Sequence, residues 1–215
     1  MNTHREIEVK LRVADAAALR RKLAKVGAKA AGSGRVHEMN TVFDTPDGGL
    51  AKHGQLLRIR VMEGGKGSRG GKGGRGKDAQ RAVLTFKGAS ERVEGDAGRY
   101  KVREEKEVEL TDPEGLREIL EALGLRGWFR YEKYRTTYRF PAKEKWAVGL
   151  EVMLDETPIG SFVELEGPRE TIDRAADLLG FKRGEYITKS YLKLYLEDCR
   201  RRGVEARDML FGSRE

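Results

Sequence analysis

Three charged side chains near the start of the chain, Glu6, Glu8 and Lys10, have types and a spacing that could serve chemistry. They alternate with Ile7 and Val9, and successive side chains of an extended strand point to opposite faces. The spacing therefore predicts a strand with two carboxylates and an ammonium group side by side. Such a face could bind a cation together with an anion, or it could be the solvated side of a sheet.

The same division into a charged and an apolar face recurs in later predicted strands. The further polar and charged positions are Arg58 and Arg60, Thr85 and Lys87, Arg103 with Glu105, Glu107 and Glu109, Lys133 and Arg135, Glu151 and Asp155, and Glu164 and Glu166. The opposite faces carry leucine, isoleucine, valine, phenylalanine or tyrosine. One solvated strand face would be ordinary, whereas its repetition indicates a shared charged surface.

The elements that position these residues follow from periodicity and from turn residues. Predicted strands cover 5–13, 36–44, 56–62, 82–87, 100–110, 129–140, 147–155 and 161–166. Predicted helices cover 16–26, the stretch from Thr111 to Gly124, 168–179 and 188–201, and residues 45–49 are predicted to form a turn.

The amphipathic helices need an apolar surface, which the apolar strand faces would supply. The charged faces then point either into water from an open sheet or into the lumen of a closed barrel. Closure would remove the exposed edges of the sheet. In a closed barrel, Lys and Arg could bind phosphate oxygens while Asp and Glu could bind divalent cations. A polyphosphate carried with Mg²⁺ would satisfy both sets.

The composition of the chain indicates which partners it favours and excludes several classes of protein. The chain has 215 residues, of which 36% are charged and 38% hydrophobic, and its net charge of +8 favours polyanionic partners. The single cysteine, Cys199, excludes an internal disulfide and a zinc site built from several cysteines. The sequence has no apolar run of the ~20 residues that a membrane span needs and no signal-peptide core. We therefore expect a cytoplasmic protein without a membrane partner.

A glycine-rich stretch over residues 64–77 also carries lysine and arginine. It can supply no apolar core, so it is predicted to be a flexible loop inserted between two strands, with insertion bounds of 63–79. Such a tract could make weak contacts with nucleic acid.

Several segments together resemble the CYTH superfamily, the triphosphate tunnel metalloenzymes. They occur in family order and comprise Glu6–Lys10, Asn40–Thr45, Leu57–Arg60, Leu84–Gly88, Arg103–Glu107, Lys133–Arg135, Leu154–Asp155, Gly160–Glu166 and Lys189–Tyr191. The resemblance implies the α+β class, with a closed eight-stranded antiparallel β-barrel, a charged lumen and helices packed outside. It implies a single domain over residues 1–202, followed by a polar and loose tail over 203–215.

The resemblance also implies separate roles for the charged residues. Candidate ligands of Mg²⁺ or Mn²⁺ are Glu6, Glu8, Asp155, Glu164 and Glu166. Candidate triphosphate-binding residues are Lys10, Arg58, Arg60, Lys87, Arg135 and Lys189, of which Lys10, Arg58 and Arg60 are also candidate catalytic residues. Glu105, Glu107 and Lys133 are further candidate members of the site. No general base is evident, although His37 could serve.

The resemblance also implies a possible homodimer, since family members are often dimers. Two reactions are compatible with such a site. We favour metal-dependent hydrolysis of a triphosphate such as tripolyphosphate, thiamine triphosphate or ATP. The alternative reaction is that of a class IV adenylate cyclase, which converts ATP to cyclic AMP and pyrophosphate. A third alternative is a module that binds polyphosphate or nucleic acid without catalysis.

Overall fold

Eight antiparallel strands close into a barrel in the computed structural model, which describes residues 3–64, 80–91 and 98–212. The strands are β1 (Thr3–Val13), β2 (Lys29–Asp44), β3 (Leu56–Glu63), β4 (Arg81–Lys87), β5 (Lys101–Leu110), β6 (Arg126–Arg139), β7 (Glu151–Thr157) and β8 (Gly160–Glu166). Their order around the barrel is β1-β5-β4-β3-β2-β6-β7-β8. The predicted fold is confirmed, and the open-sheet alternative is wrong.

Five helices accompany the barrel within the described residues: α1 (Ala16–Lys25), α2 (Gly49–Lys52), α3 (Pro113–Ala122), α4 (Arg169–Leu179) and α5 (Tyr191–Arg202). Asp15 begins α1 as predicted, because its carboxylate accepts from the backbone N–H groups of Ala17 and Ala18. Asp112 caps α3 in the same way through Gly115. No helix in the described part of the chain is long and apolar enough to cross a bilayer.

The core lies between the barrel wall and the helices. Val9, Leu11, Leu154 and Leu165 are fully buried on the outer faces of β1, β7 and β8. The apolar sides of α1 and α4 pack against this surface through Leu19, Leu23, Ile172, Ala176 and Leu179. A smaller cluster joins α3 to β2 and β3 through Leu120, Phe43 and Ile59. Apolar packing outside the barrel therefore leaves the charged strand faces inside.

Several predicted boundaries were wrong for local reasons. Strand β2 begins at Lys29 and continues through an irregularity between Ala30 and Arg35, where glycine and serine had indicated a turn. Strand β7 begins at Glu151, because Lys145–Ala147 forms a short 3₁₀ turn. The predicted turn at 45–49 leads into α2, and α5 begins at Tyr191 because the Ser190 side chain caps it.

The C-terminal segment is ordered in the structure up to residue 212, whereas we expected a loose tail. Strand β7 pairs with β6 only over Tyr134–Tyr138, which leaves the preceding part of that β6 edge open. Met209 occupies this edge, since its N–H donates to Arg130 and its carbonyl accepts from Glu132. The Met209 side chain is 1% exposed and packs with Phe129 and Tyr131. The predicted insertion lies outside the described residues, apart from its edges at residues 63 and 64.

Replacement of a fully buried leucine tests the outer core. Leu154→Ala should lower the free energy of unfolding by about 2–5 kcal/mol, because it removes buried apolar contacts and leaves a cavity. The matched control Leu178→Ala, at a leucine that is 46% exposed, should change it by about 0.5 kcal/mol or less. Denaturant unfolding measures both values. Equal losses would contradict this account of the core.

Candidate functional site

The barrel encloses a cavity of about 740 Å³ lined mainly by charged side chains. One end of the cavity, which we call the mouth, is bordered by Gly54 and Gln55 of the β2–β3 connection, by Ser90 and by Thr188–Lys193 before and within α5. All of the predicted metal-binding and triphosphate-binding residues except Asp155 line this cavity. Asp155 lies behind the lining and contacts two of its cations.

Strands β1 and β8 place carboxylates and a lysine on one wall. Lys10 lies opposite Glu164, and Glu8 lies opposite Glu166, in the register between the two strands. The Lys10 ammonium group is 3.1 Å from both the Glu8 and the Glu164 carboxylates. Burial alone would lower the pKa of Lys10, but these two carboxylates outweigh it and raise the pKa above its usual value. Lys10 therefore stays charged.

Glu166 is the carboxylate of this wall that lacks a partner. Its side chain makes no hydrogen bond or ion pair with any described residue, although Glu8 lies directly opposite. Burial and the nearby carboxylates of Glu6, Glu8 and Glu105 raise the pKa of Glu166 to about 8, against a partial opposing effect of Lys87. This part of the wall therefore has more carboxylate groups than its neighbouring cations neutralise.

Asp155 is a fully buried carboxylate that accepts hydrogen bonds from several side chains. Its oxygens accept from Lys133 Nζ at 2.7 Å, from Arg135 Nε at 2.7 Å and from the Tyr191 hydroxyl at 2.7 Å. Arg135 also contacts Glu164. These bonds fix the direction of the Lys133 and Arg135 side chains, so a positioning role is evident. The predicted role of Asp155 as a metal ligand stays a prediction.

Glu6 has a similar arrangement at the other side of β1. It accepts from Lys87 Nζ at 2.7 Å and lies 3.4 Å from Arg103 Nε. Lys87 also forms an ion pair with Glu105 at 3.1 Å. Glu107 accepts from the Thr85 hydroxyl at 2.8 Å. The further candidates Glu105, Glu107 and Lys133 are thus part of the cavity, whereas Glu109 is exposed and pairs with Arg81 at the strand end.

Arg58 is a buried cation held by neutral groups. Its guanidinium donates to the Tyr131 hydroxyl at 2.9 Å and to the Thr85 hydroxyl at 3.2 Å. It forms no ion pair with a described carboxylate, and its Nε has no hydrogen-bond partner. Arg60 lies beside it and contacts Asn40 at 3.3 Å and Glu38 at 3.5 Å. Strand β3 therefore presents guanidinium groups whose hydrogen-bonding capacity is only partly used.

Sequence reasoning missed several residues of the cavity. Lys101 is buried and donates to Glu8 at 2.8 Å, and burial lowers its pKa to about 8 despite that carboxylate. It lies two residues before Arg103, so the alternation of β5 could have identified it. Glu38 lies behind the lining, as Asp155 does, and pairs with the lining cations Arg60 and Lys133, and the same alternation within β2 could have indicated it. Tyr131 and Tyr191 carried no comparable signal.

Lys189 and His37 lie outside the charged cluster. Lys189 borders the mouth, is 45% exposed in its side chain and pairs with Glu197 at 2.8 Å. His37 lies on the outer face of β2, where it contacts Glu132 at 2.7 Å and the ring of Tyr134. His37 is therefore badly placed to act as a base in the cavity, and no other histidine lines it within the described residues.

The fit of a divalent cation depends on the acidic wall. Among the described residues, no three Asp, Glu, His or Cys side chains already converge on one point. However, Glu8, Glu164 and Glu166 supply hard oxygen donors, and Glu166 has no cation of its own. A divalent cation beside Glu166 would reduce the electrostatic repulsion between this carboxylate and its neighbours Glu6, Glu8 and Glu105. The chemistry of these carboxylate donors is therefore compatible with Mg²⁺ or Mn²⁺, which both prefer oxygen ligands.

Replacement of each β8 glutamate by glutamine should change the free energy of unfolding in opposite directions: Glu166→Gln should raise it near pH 8, and Glu164→Gln should lower it. The folded state holds a proton on Glu166 up to a pKa of about 8, whereas the unfolded chain releases it near 4.5. Between these values the wild-type free energy of unfolding should fall with rising pH, by up to about 1.4 kcal/mol per unit. Glu166→Gln removes this slope, so its stability relative to wild type should rise across the same window.

Glu164→Gln is the matched control on the same strand. Burial alone would raise the pKa of Glu164, but Lys10 and Arg135 outweigh it and hold the pKa well below its usual range. Its amidation should cost about 1–3 kcal/mol near pH 8, since Lys10 and Arg135 each lose one of two carboxylate partners while Glu8 and Asp155 remain. Denaturant unfolding in chelator measures both variants. Parallel pH curves for wild type and Glu166→Gln would contradict the unpaired state of Glu166.

Comparisons with known proteins agree with this geometry. The chain resembles the solved structure of a proposed adenylate cyclase from Vibrio parahaemolyticus, with 17% identity, a TM-score of 0.67 and coverage of 90% of this chain and 98% of that one. The PH1012 protein of Pyrococcus horikoshii gives 24% identity, a TM-score of 0.64 and coverage of 88% and 98%. A third solved structure is that of a Hippeastrum protein, proposed as an adenylyl cyclase and described as having a dominant triphosphatase activity. It is 23% identical, with a TM-score of 0.52 and coverage of 94% of this chain and 97% of that one.

The TM-scores, each above 0.5, show that this chain shares its fold with these three proteins. No curated protein matches the chain. The model of the CYTH domain matches residues 4–191, which span β1 to the start of α5 and include the charged cavity. The chain therefore belongs to the CYTH-domain family.

Proposed function

We propose that the protein is a divalent-metal-dependent triphosphatase that binds its substrate in the barrel. One observation carries this proposal: the same cavity contains a buried guanidinium, Arg58, and a half-buried glutamate, Glu166, and neither forms an ion pair with another described residue. A ligand that brings anionic oxygens to Arg58 and cationic charge to Glu166 would compensate both. A polyphosphate carried with a divalent cation has this composition.

The cationic residues would bind and orient the phosphate chain. Arg58 and Arg60 on β3 present partly unused donors, and Lys87, Lys133 and Arg135 are held in place by Glu6 and Asp155. Arginine suits phosphate because its planar donors can bind two oxygens at once. Donors fixed before the substrate arrives can stabilise charge that develops in the transition state without reorganising.

The acidic wall would hold the metal. Glu8, Glu164 and Glu166 are its proposed ligands, while Glu6 and Asp155 fit a positioning role through the cations they hold. A bound Mg²⁺ or Mn²⁺ would supply Lewis-acid neutralisation of the phosphate oxygens. Lys10, between Glu8 and Glu164, would keep these carboxylates oriented and add one positive charge next to the substrate.

Hydrolysis then proceeds by in-line displacement at the terminal phosphorus. The oxygen of water forms a new bond to phosphorus, the bridging P–O bond breaks, and the proton of the water passes to the phosphate product or to solvent. The leaving group departs as a diphosphate, whose negative charge the lysine and arginine side chains neutralise. Arg58, Arg60 and Lys10 would thus stabilise the negative charge of the phosphate groups and would not transfer protons.

A direct assay separates the alternatives. The protein is incubated with Mg²⁺ and, separately, with tripolyphosphate, thiamine triphosphate or ATP, and phosphate, pyrophosphate and cyclic AMP are quantified. We expect phosphate release that excess chelator abolishes. Cyclic AMP and pyrophosphate in equal amounts would instead assign a cyclase. Binding of tripolyphosphate without any product would assign a module that only binds.

Arg58→Lys tests the central role of the unpaired guanidinium. It keeps the positive charge but removes the planar donors, so kcat for triphosphate hydrolysis should fall by about 10²–10³-fold. Arg130→Lys is the matched control, because Arg130 is exposed on the outside of β6 and pairs with Asp208. Steady-state kinetics together with Tm values measure both. Equal kcat values for the two variants in folded protein would contradict the proposal.

A further inference from the structure

The first half of β6 has an edge that the C-terminal segment covers. Strand β7 pairs with β6 only over Tyr134–Tyr138, and ahead of that stretch Tyr131 forms a parallel bridge with Met209. The Met209 N–H donates to the Arg130 carbonyl at 2.9 Å, and the Met209 carbonyl accepts from the Glu132 N–H at 3.1 Å. Both bonds join main-chain groups, so this attachment does not depend on the side chains of Arg130 and Glu132.

The side chain of Met209 packs behind Tyr131. Residues bridged across neighbouring strands project their side chains to the same face. Met209 is almost fully buried and belongs to the same apolar cluster as Tyr131, Phe129 and Leu194 of α5. Tyr131 lines the charged cavity, whereas Met209 does not. Met209 therefore supports Tyr131 from outside the cavity.

Tyr131 links this packing to Arg58. The Tyr131 hydroxyl accepts from one terminal nitrogen of Arg58 at 2.9 Å, and the Thr85 hydroxyl accepts from the other at 3.2 Å. Arg58 forms no ion pair with a described residue, so these two hydroxyls fix the direction of its guanidinium. Thr85 is fully buried in the barrel wall, whereas the ring of Tyr131 is held by Met209 and by the stacked ring of Phe129.

We propose that Met209 is a positioning residue, which fixes the direction of the Arg58 donors by packing behind Tyr131. The proposal rests on the proposed function and assigns a role to a segment that lies beyond the match to the CYTH-domain model, which ends at residue 191. Truncation of Met209 would leave a cavity into which the Tyr131 ring can move. A small displacement of a group that stabilises the transition state lowers the rate strongly.

Met209→Ala and Tyr131→Phe, alone and combined, test this role as a double-mutant cycle. Met209→Ala should lower kcat for tripolyphosphate hydrolysis by about tenfold and change KM by about threefold or less. Tyr131→Phe keeps the ring but removes the acceptor of the Arg58 bond, so its effect should be similar. The combined variant should lose little more than either single variant, because both act on the same bond. Losses that multiply would contradict the proposal.

Leu23→Ala is the control for stability, since Leu23 is fully buried between α1 and the barrel and does not line the cavity. It should lower Tm about as much as Met209→Ala and change kcat by about twofold or less. Met209→Leu conserves the side-chain volume and should restore kcat. If Met209→Ala melts below the assay temperature, Met209→Val takes its place in the cycle. Equal losses of kcat in the Leu23 and Met209 variants would overturn the proposal.

Binding of the methylene-bridged analogue of tripolyphosphate, which hydrolysis cannot consume, separates this proposal from the proposed function. Calorimetric titration in Mg²⁺ should show each single variant weakened by about threefold and the combined variant by about fivefold or less. This pattern in a protein that releases no phosphate would support the role of Met209 and refute hydrolysis. Full kcat and full affinity in folded Met209→Ala would overturn the role of Met209 and leave hydrolysis intact.

Discussion

Charge compensation inside a closed barrel is the constraint on which the rest of the structure depends. A buried ion is costly unless a partner of opposite charge and further hydrogen bonds are present. The register between β1 and β8 meets this requirement by placing Lys10 opposite Glu164, and Asp155 meets it for Lys133 and Arg135. Each of these pairs fixes a cation in a defined direction. The interactions that make these buried charges tolerable therefore also fix the directions of the cations that line the lumen.

Neutral hydroxyl groups account for the exceptions to this compensation. Tyr131 and Thr85 hold Arg58 without cancelling its charge, which leaves that charge available to a ligand. Tyr131 packs with Met209, so the C-terminal segment along β6 supports the position of a side chain inside the barrel. Tyr191, at the start of α5, reaches Asp155 in a similar way. Elements outside the barrel thus contact side chains that hold the internal charges.

Strand alternation was sufficient to predict which side chains share the charged face, because it requires only the period of an extended chain, whereas closure of the sheet into a barrel was implied by the family resemblance. It correctly placed Glu6, Glu8 and Lys10 inside and Ile7 and Val9 outside. It could not give the partners of each charge, since these depend on the register between strands that are distant in sequence. The three donors on Asp155 and the lack of a partner for Glu166 come from that register and from α5. Tertiary contacts also overrode the expectation of a loose tail.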